Sequence, residues 1–238
     1  YMDKIIEVNA EEAWVRVQPG VVLDELNHHL KPYGLMFAPD VATSSQATVG
    51  GMIGNNSAGA HSLIYGKTID HVISLNLILA NGEEVTACPI SLDELTSKKR
   101  GDSCESLIYR EVCRVVEENA EEIRERFPRL LRRVSGYNLD EFVVDAGSKE
   151  VTPYHRPETS GVNPFNLAWI VVGSEGTLAT TVEAKLNLVR RPRMTAVAAI
   201  HFETLLESME AVKPSLECNP VAVELIDRVI LDMTKDSL

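Results

Sequence analysis

The run TVGGMIGNNSAG, Thr48 to Gly59, constrains this chain more than any other stretch. It places four glycines in twelve residues, with two Asn, one Ser, one Thr and no charge. Glycine has no Cβ, so a glycine-dense run marks backbone that something else must approach closely. The candidates for that neighbour are a phosphate, a flat ring or another piece of protein.

Two further glycine motifs compete with it. YGKT, Tyr65 to Thr68, is reminiscent of a phosphate-binding P-loop, but that motif needs glycine where this chain has His61. No buried strand is expected before it and no helix after it, which argues against a nucleoside triphosphatase. GSEGT, Gly173 to Thr177, is read as a turn between two strands, Ala168–Val172 and Leu178–Val189. Its glycines permit a tight bend and leave amides free to face an anion. The opening run is not the dinucleotide fingerprint G-x-G-x-x-G and follows no obvious buried strand, so a Rossmann reading is weak.

The surrounding pattern predicts mixed α and β structure. Lys4–Val8 and Ala13–Gln18 alternate as two strands, and Val22–Leu30 carries Leu23, Leu26 and Leu30 at helical spacing. The stretch from Leu35 to Ser45 reads as loop, and Thr48 is placed to cap a short helix over Gly50–Ser57. His71–Ala80, then Asn81–Gly82, then Glu83–Ala87 is the strongest hairpin signal. Cys104–Phe127 reads as one long amphipathic helix with Leu107, Ile108, Val112, Val115 and Val116 on its apolar face and a solvated acidic face. Arg190–Arg193 marks a boundary. Beyond it Thr195–Phe202 and Val221–Ile226 read as strands, Leu205–Val212 as a helix ending before Pro214, and the last dozen residues as the start of another.

Charge excludes some functions. The net charge of −12 argues against nucleic acid as a partner. It also implies that any bound phosphate is held by backbone amides. No apolar run approaches the length of a membrane span, and the N-terminus is not a signal peptide. Cys88, Cys104, Cys113 and Cys218 show no metal-ligand spacing, so no metal site is expected and the thiols read as reduced and mostly core. The expected location is cytoplasmic, with peripheral attachment at the inner face of a membrane as the alternative.

The spacing P-D-x(7)-T-V-G-G-x-I-x-x-N-x-x-G, Pro39 to Gly59, continues into YGKTIDHVISLNLILANGEEV, and LAWIVVGSEGTLATTVEAKLNL follows much later. Together these resemble the PCMH-type FAD-binding domain of the vanillyl-alcohol oxidase superfamily. Within it, they are similar to the branch of D-lactate dehydrogenases, glycolate oxidase flavin subunits and D-2-hydroxyglutarate dehydrogenases. SGYNLDEF, Ser135 to Phe142, resembles its long bacterial members with an iron–sulfur module. The resemblance implies an α+β fold: residues 1–192 the second part of the FAD-binding domain, residues 193–238 the beginning of a ferredoxin-like cap. It implies FAD as cofactor, with Thr48, Gly50, Gly51, Asn55, Asn56, Ser57 and Gly59 on the flavin and pyrophosphate side and Pro39 and Gly66 also among the cofactor-binding residues. Gly173, Glu175 and Gly176 fall toward the adenine and ribose. It implies a small 2-hydroxy acid substrate and an electron acceptor, with an iron–sulfur or membrane-peripheral partner as further options.

The sequence also departs from that family. The family's upstream phosphate loop, of R-G-x-G-T/S type, has no counterpart here, Ala179 replaces a glycine after G-T-L, and the downstream substrate-side His and acidic cluster and the iron–sulfur cysteines are absent. The chain is therefore expected to be the middle of a longer protein, to bind FAD weakly or not at all by itself, and to be inactive alone. A non-catalytic interaction module is the alternative. No catalytic residue is assigned. His61 is expected to be a polar neighbour of the site or simply exposed, His28–His29 a solvent-facing pair and His71 half-buried. Tyr65 is divided between flavin contact and core. Tyr137 and Asn138 face the substrate side or cap a turn, and Tyr154, His155 and Arg156 form a polar cluster that reads first as a simple solvated loop, with service to a hydroxy acid as the alternative.

Overall fold

The computed structural model describes residues 1–143 and 165–235. The chain divides into two compact units, Tyr1–Arg191 and Pro192–Leu238.

In the first unit, β1 (Ile5–Asn9) and β2 (Trp14–Val17) form a hairpin, and α1 (Leu23–Leu30) follows. Next come β3 (Leu35–Met36), α2 (Val49–Asn55), α3 (Ser62–Tyr65), α4 (Thr68–His71), β4 (Val72–Ile78), β5 (Glu84–Ala87) and β6 (Pro89–Ile90). Three helices, α5 (Leu92–Lys98), α6 (Cys104–Glu118) and α7 (Ala120–Arg126), precede β7 (Phe165–Asn166), α8 (Ala168–Val171), β8 (Thr180–Asn187) and β9 (Val189–Arg190). The main sheet is antiparallel, in the order β1-β2-β8-β4-β5.

The sheet has one wet face and one dry one, as alternation dictates. Val15, Val17, Leu75, Leu77, Ala87, Ala184 and Leu186 are buried on one side. The other side carries Arg16 in an ion pair with Glu183 at 3.1 Å, and the Lys185 ammonium stands 3.8 Å from the centre of the Trp14 ring. Leu23, Leu26 and Leu30 of α1, Val49, Met52 and Ile53 of α2, Ala168 and Val171 of α8, and Tyr109 of α6 complete the core cluster against the dry face.

Several elements differ from their sequence reading, each for a physical reason. Ala168–Val172 is not a strand: Ala168–Val171 is a helical turn started by the Asn166 side chain, which accepts the Ala168 N–H at 2.9 Å. A short run that is apolar on every side lacks the periodicity that separates a buried strand from a buried helix. GSEGT thus joins a helix to β8, not two strands. Cys104–Phe127 is two helices, broken at Asn119, whose φ of −118° leaves the helical region. Its buried face is Tyr109, Cys113 and Val116, while Leu107 is exposed. The stretch after Gly34 holds β3, which pairs with β9, and the YGKT run is followed by the four-residue α4. Leu178–Val189 narrows to Thr180–Asn187, with Val189 belonging to the separate β9.

The second unit, taken by itself, contains α9 (Leu205–Glu210), α10 (Val212–Glu217) and α11 (Arg228–Thr234). Neither 195–202 nor 221–226 is a strand, because neither finds a pairing partner among the described residues. Pro214 does not stop the helical region: it occupies the first turn of α10, where a missing N–H costs little. Cys218 is exposed, unlike the buried Cys113, so it is not a core thiol. Among the described residues no helix is long and apolar enough to cross a membrane, and no cluster of His, Cys, Asp and Glu could hold a metal ion.

Candidate functional site

The site is built around α2. Val49, Met52 and Ile53 anchor one side of this short helix in the core. Its first amides are all engaged within the protein. The Val49 N–H donates to the Val21 carbonyl at 2.8 Å, Gly50 to Pro19 at 2.7 Å, and Met52 to Thr48 at 2.9 Å. The Gly51 N–H donates to Thr48 Oγ1 at 3.2 Å, the N-cap expected for this threonine. The start of α2 therefore has no spare donor for a phosphate.

The second glycine motif docks on the other end of the same helix. Gly173 donates its N–H to the Ile53 carbonyl and Glu175 to the Gly54 carbonyl, each at 2.9 Å. Glycine motifs far apart in sequence thus form one continuous surface. Asn138 braces the junction: its Nδ2 donates to the Trp169 carbonyl at 3.1 Å and to the Val172 carbonyl at 2.6 Å. Tyr137 adds a hydroxyl contact to Thr177 at 2.9 Å.

Two open hollows flank α2. The first, about 320 Å³, is bordered by Val41, Thr43, Met52, Asn55, Ser57 and Ala58. The second, about 380 Å³, runs between Pro19–Gly20, Gly54 and the stretch carrying Ser174, Gly176 and Thr180. Thr48 and Gly51 line both. The linings carry hydroxyls, an amide and glycines, and no charged side chain. The Ala58 N–H in the first and the Gly176 N–H in the second meet no backbone acceptor among the described residues.

The glycines separate into two kinds. A Cβ on Gly59 would sit 1.3 Å from the Asp40 carbonyl oxygen, and one on Gly50 would sit 2.6 Å from Pro19 Cβ. These two, with Gly66 against Asp70 and Gly173 against Asn138, let protein pack on protein. Gly54 and Gly176 are not crowded: a Cβ on Gly54 would make an ordinary van der Waals contact with Glu175 at 3.7 Å, and one on Gly176 would meet nothing within 4 Å. Gly51 is crowded only by the tip of the Thr48 side chain.

Of the residues singled out from the sequence, Thr48, Gly50, Gly51, Asn55, Ser57 and Gly176 line a hollow. Pro39, Asn56, Gly59, Gly66, Gly173 and Glu175 do not. Pro39 is buried. Asn56 turns inward, with its Oδ1 accepting the Ile69 N–H at 3.0 Å. Glu175 is exposed and contributes its main chain. Gly54 was missed although it completes the G-G-x-x-G spacing in plain view. Ala58 was missed although it lies within the same run, and Thr43, Pro19 and Gly20 were missed because the path of the fold brings them to α2. His28 and His29 are exposed, and His71 is fully buried rather than half-buried, bonded through Nε2 to the Tyr65 carbonyl at 2.7 Å. Tyr154, His155 and Arg156 lie outside the described residues.

Residues 1–87 match the FAD binding domain family. The chain is 33% identical over 238 residues to D-2-hydroxyglutarate dehydrogenase of Escherichia coli, covering all of this chain and 22% of that protein. It is 35% identical over 231 residues to the D-2-hydroxyglutarate dehydrogenase of Pseudomonas putida, covering 97% of this chain and 21% of the relative. The glycolate oxidase subunit GlcD of Bacillus subtilis is 24% identical over 238 residues, 99% of this chain and 36% of the relative.

Proposed function

We infer, for a chain that fits part of a PCMH-type FAD-binding protein, that it forms one wall of the flavin site in an enzyme oxidising a D-2-hydroxy acid. The observation that carries this reading is the convergence of the two glycine motifs on α2, with Gly51, Gly54 and Gly176 facing open hollows. Backbone without Cβ atoms suits the approach of a flat, extended ligand. FAD held there would supply the hydride-accepting chemistry for oxidation at the substrate Cα. The residues of this chain would bind and orient it: Gly51 and Gly54 by leaving room, Thr48 by fixing the end of α2, and the Ala58 and Gly176 amides by donating hydrogen bonds.

The engaged amides of α2 refine the expectation from charge. They favour contact with a ring or sugar over a pyrophosphate held at the helix start. Residues 1–192 then form part of the FAD-binding domain. Residues 193–238 then belong to a cap domain, a reading supported by the division of the chain into compact units at Arg191–Pro192. The substrate is of lactate, glycolate or 2-hydroxyglutarate type, and an electron acceptor of the longer protein takes the electrons.

The test uses both lengths of the protein. The 238-residue chain alone should bind FAD weakly or not at all, because half of a two-sided site still requires much of the ordering. The longer protein should carry flavin, and its flavin absorbance should bleach with a D-2-hydroxy acid. Gly51→Val should cost flavin occupancy while leaving the melting transition close to wild type. A Gly51→Val protein with full flavin content would remove α2 from the site. Bound flavin that no D-2-hydroxy acid bleaches would remove the substrate assignment.

A further inference from the structure

One group of side chains beside the first hollow is not used by the flavin reading. Asp40 and Gly59 are the sequence neighbours of Val41 and Ala58, which line that hollow. The Asp40 carboxylate accepts the His61 N–H at 3.1 Å and also pairs with His61 Nδ1. Gly59 is pressed against the Asp40 main chain, and its N–H donates to Ser62 Oγ at 2.9 Å. The His61 ring is therefore held at one nitrogen by a carboxylate, with its side chain 45% exposed and Nε2 without a partner among the described residues.

A cation reaches the same loop from another part of the fold. Arg132 Nη2 donates to the carbonyl of Ala60, the residue before His61, at 3.3 Å. Arg132 belongs to a concentration of five arginines within residues 124–133, in a chain whose net charge is −12. Two neighbours in that run have acidic partners: Arg126 pairs with Glu122 at 3.2 Å and Arg133 with Asp140 at 2.5 Å. Among the described residues Arg132 bonds a main-chain carbonyl and pairs with no carboxylate, so its charge is positioned but not neutralised by them. The nearby carboxylate, Asp40, is occupied by His61.

We propose that Arg132 and the Asp40-braced His61 form a binding site for an oxyanion, a carboxylate or a phosphate, at the rim of the first hollow. The guanidinium keeps further N–H donors in its planar fork after bonding Ala60, which suits two oxygens of one anion. His61 supplies a second polar contact through Nε2. The Ala58 N–H and the Ser57 hydroxyl border the same hollow and can receive the rest of the ligand.

The experiment titrates the 238-residue chain with inorganic phosphate and, separately, with malonate, while NMR follows the Arg132 side-chain N–H and the His61 ring. Saturable shifts at both groups are expected. Arg132→Met should weaken the binding by about fivefold, the scale of one exposed charged contact, and Arg132→Lys should restore part of it. His61→Gln should weaken it less. Saturation by phosphate alone assigns a phosphate ligand, and saturation by malonate alone assigns a carboxylate. No saturable shift with either anion, or unchanged binding in Arg132→Met, overturns the site. Either failure leaves the flavin reading intact, because that is judged by Gly51→Val and flavin colour.

Discussion

Residues 1–191 and 192–235 were built from similar sequence patterns and ended in different states. The first unit buries both faces of its logic: alternating strands and amphipathic helices meet in one cluster that includes Val15, Leu26, Ile53, Tyr109 and Leu186. The second has apolar residues of the same kinds, yet among its described residues none is buried. Val197 is 96% exposed, Met194 86% and Met233 73%. Local signals therefore suffice to start helices, as the Thr204–Glu207 capping box of α9 shows. They do not suffice to make strands, which exist only when a neighbour accepts their hydrogen bonds.

The largest test of this contrast is in the core. Leu186→Ala in β8 removes a fully buried side chain at the centre of the sheet and should cost about 2–5 kcal/mol, read from chemical denaturation. Ile200→Ala should fall within about 0.5 kcal/mol of wild type, because that side chain is 65% exposed. Equal losses at the two positions would mean that the second unit has a core of its own. Hydrogen exchange should show the same divide, with slow amides in β4 and β8 and fast ones throughout 195–202.

The two kinds of glycine give the next contrast. Gly59→Ala forces the Asp40 main chain to move and should cost about 1–3 kcal/mol. Gly54→Ala adds a Cβ at ordinary van der Waals distance from Glu175, so its effect should be only the small, favourable or neutral change of a helical Gly→Ala. Thermal melts of the two variants decide it. A destabilised Gly54→Ala protein would show that this glycine also serves packing.

How much of this was legible from sequence depends on the range of the interactions. The hairpin at Asn81–Gly82, the cap at Thr48 and the amphipathic α1 follow from neighbours within a few residues, and they were readable. The general α and β mixture followed from them. The helical turn at Ala168–Val171 was not readable, because AWIVV is apolar on every side and its direction is decided by Asn166 and by the core it enters. The glycine motifs revealed that something approaches the backbone, but not what. Gly59 and Gly51 look alike in TVGGMIGNNSAG. One meets the Asp40 carbonyl and the other an open hollow, and only the path of residues 39–41 distinguishes them. The pairing of β3 with β9 spans most of the unit, and no local pattern announces it.

Capping gives a smaller contrast between the units. Thr48→Ala removes the acceptor for the Gly51 N–H in a helix fixed by core contacts, and should cost about 1 kcal/mol in global stability. Thr204→Ala removes the same kind of cap from α9, where no described residue is buried. It should lower helix content by circular dichroism without shifting the main unfolding transition. A shift of that transition would couple α9 to the core of the first unit.

The smallest effect is electrostatic and confined to α5. The Ser91 N–H donates to Glu94 Oε2 at 2.7 Å and the Ser91 hydroxyl donates at 2.9 Å. The backbone bond first, and the hydroxyl second, hold the Glu94 carboxyl below its ordinary value of 4.5. A lowered carboxyl stabilises the helix start above that ordinary value and loses the contribution as pH falls through its lower, folded value. The α5 amides should therefore exchange at a constant rate, after correction for intrinsic chemistry, from neutral pH down to about 4.5. Below that they should lose protection while β4 and β8 keep theirs. Glu94→Gln should flatten this dependence at the start of α5. If the wild-type helix already lacks pH dependence, the capping box is absent in solution, and α5 belongs with the locally started helices of the second unit.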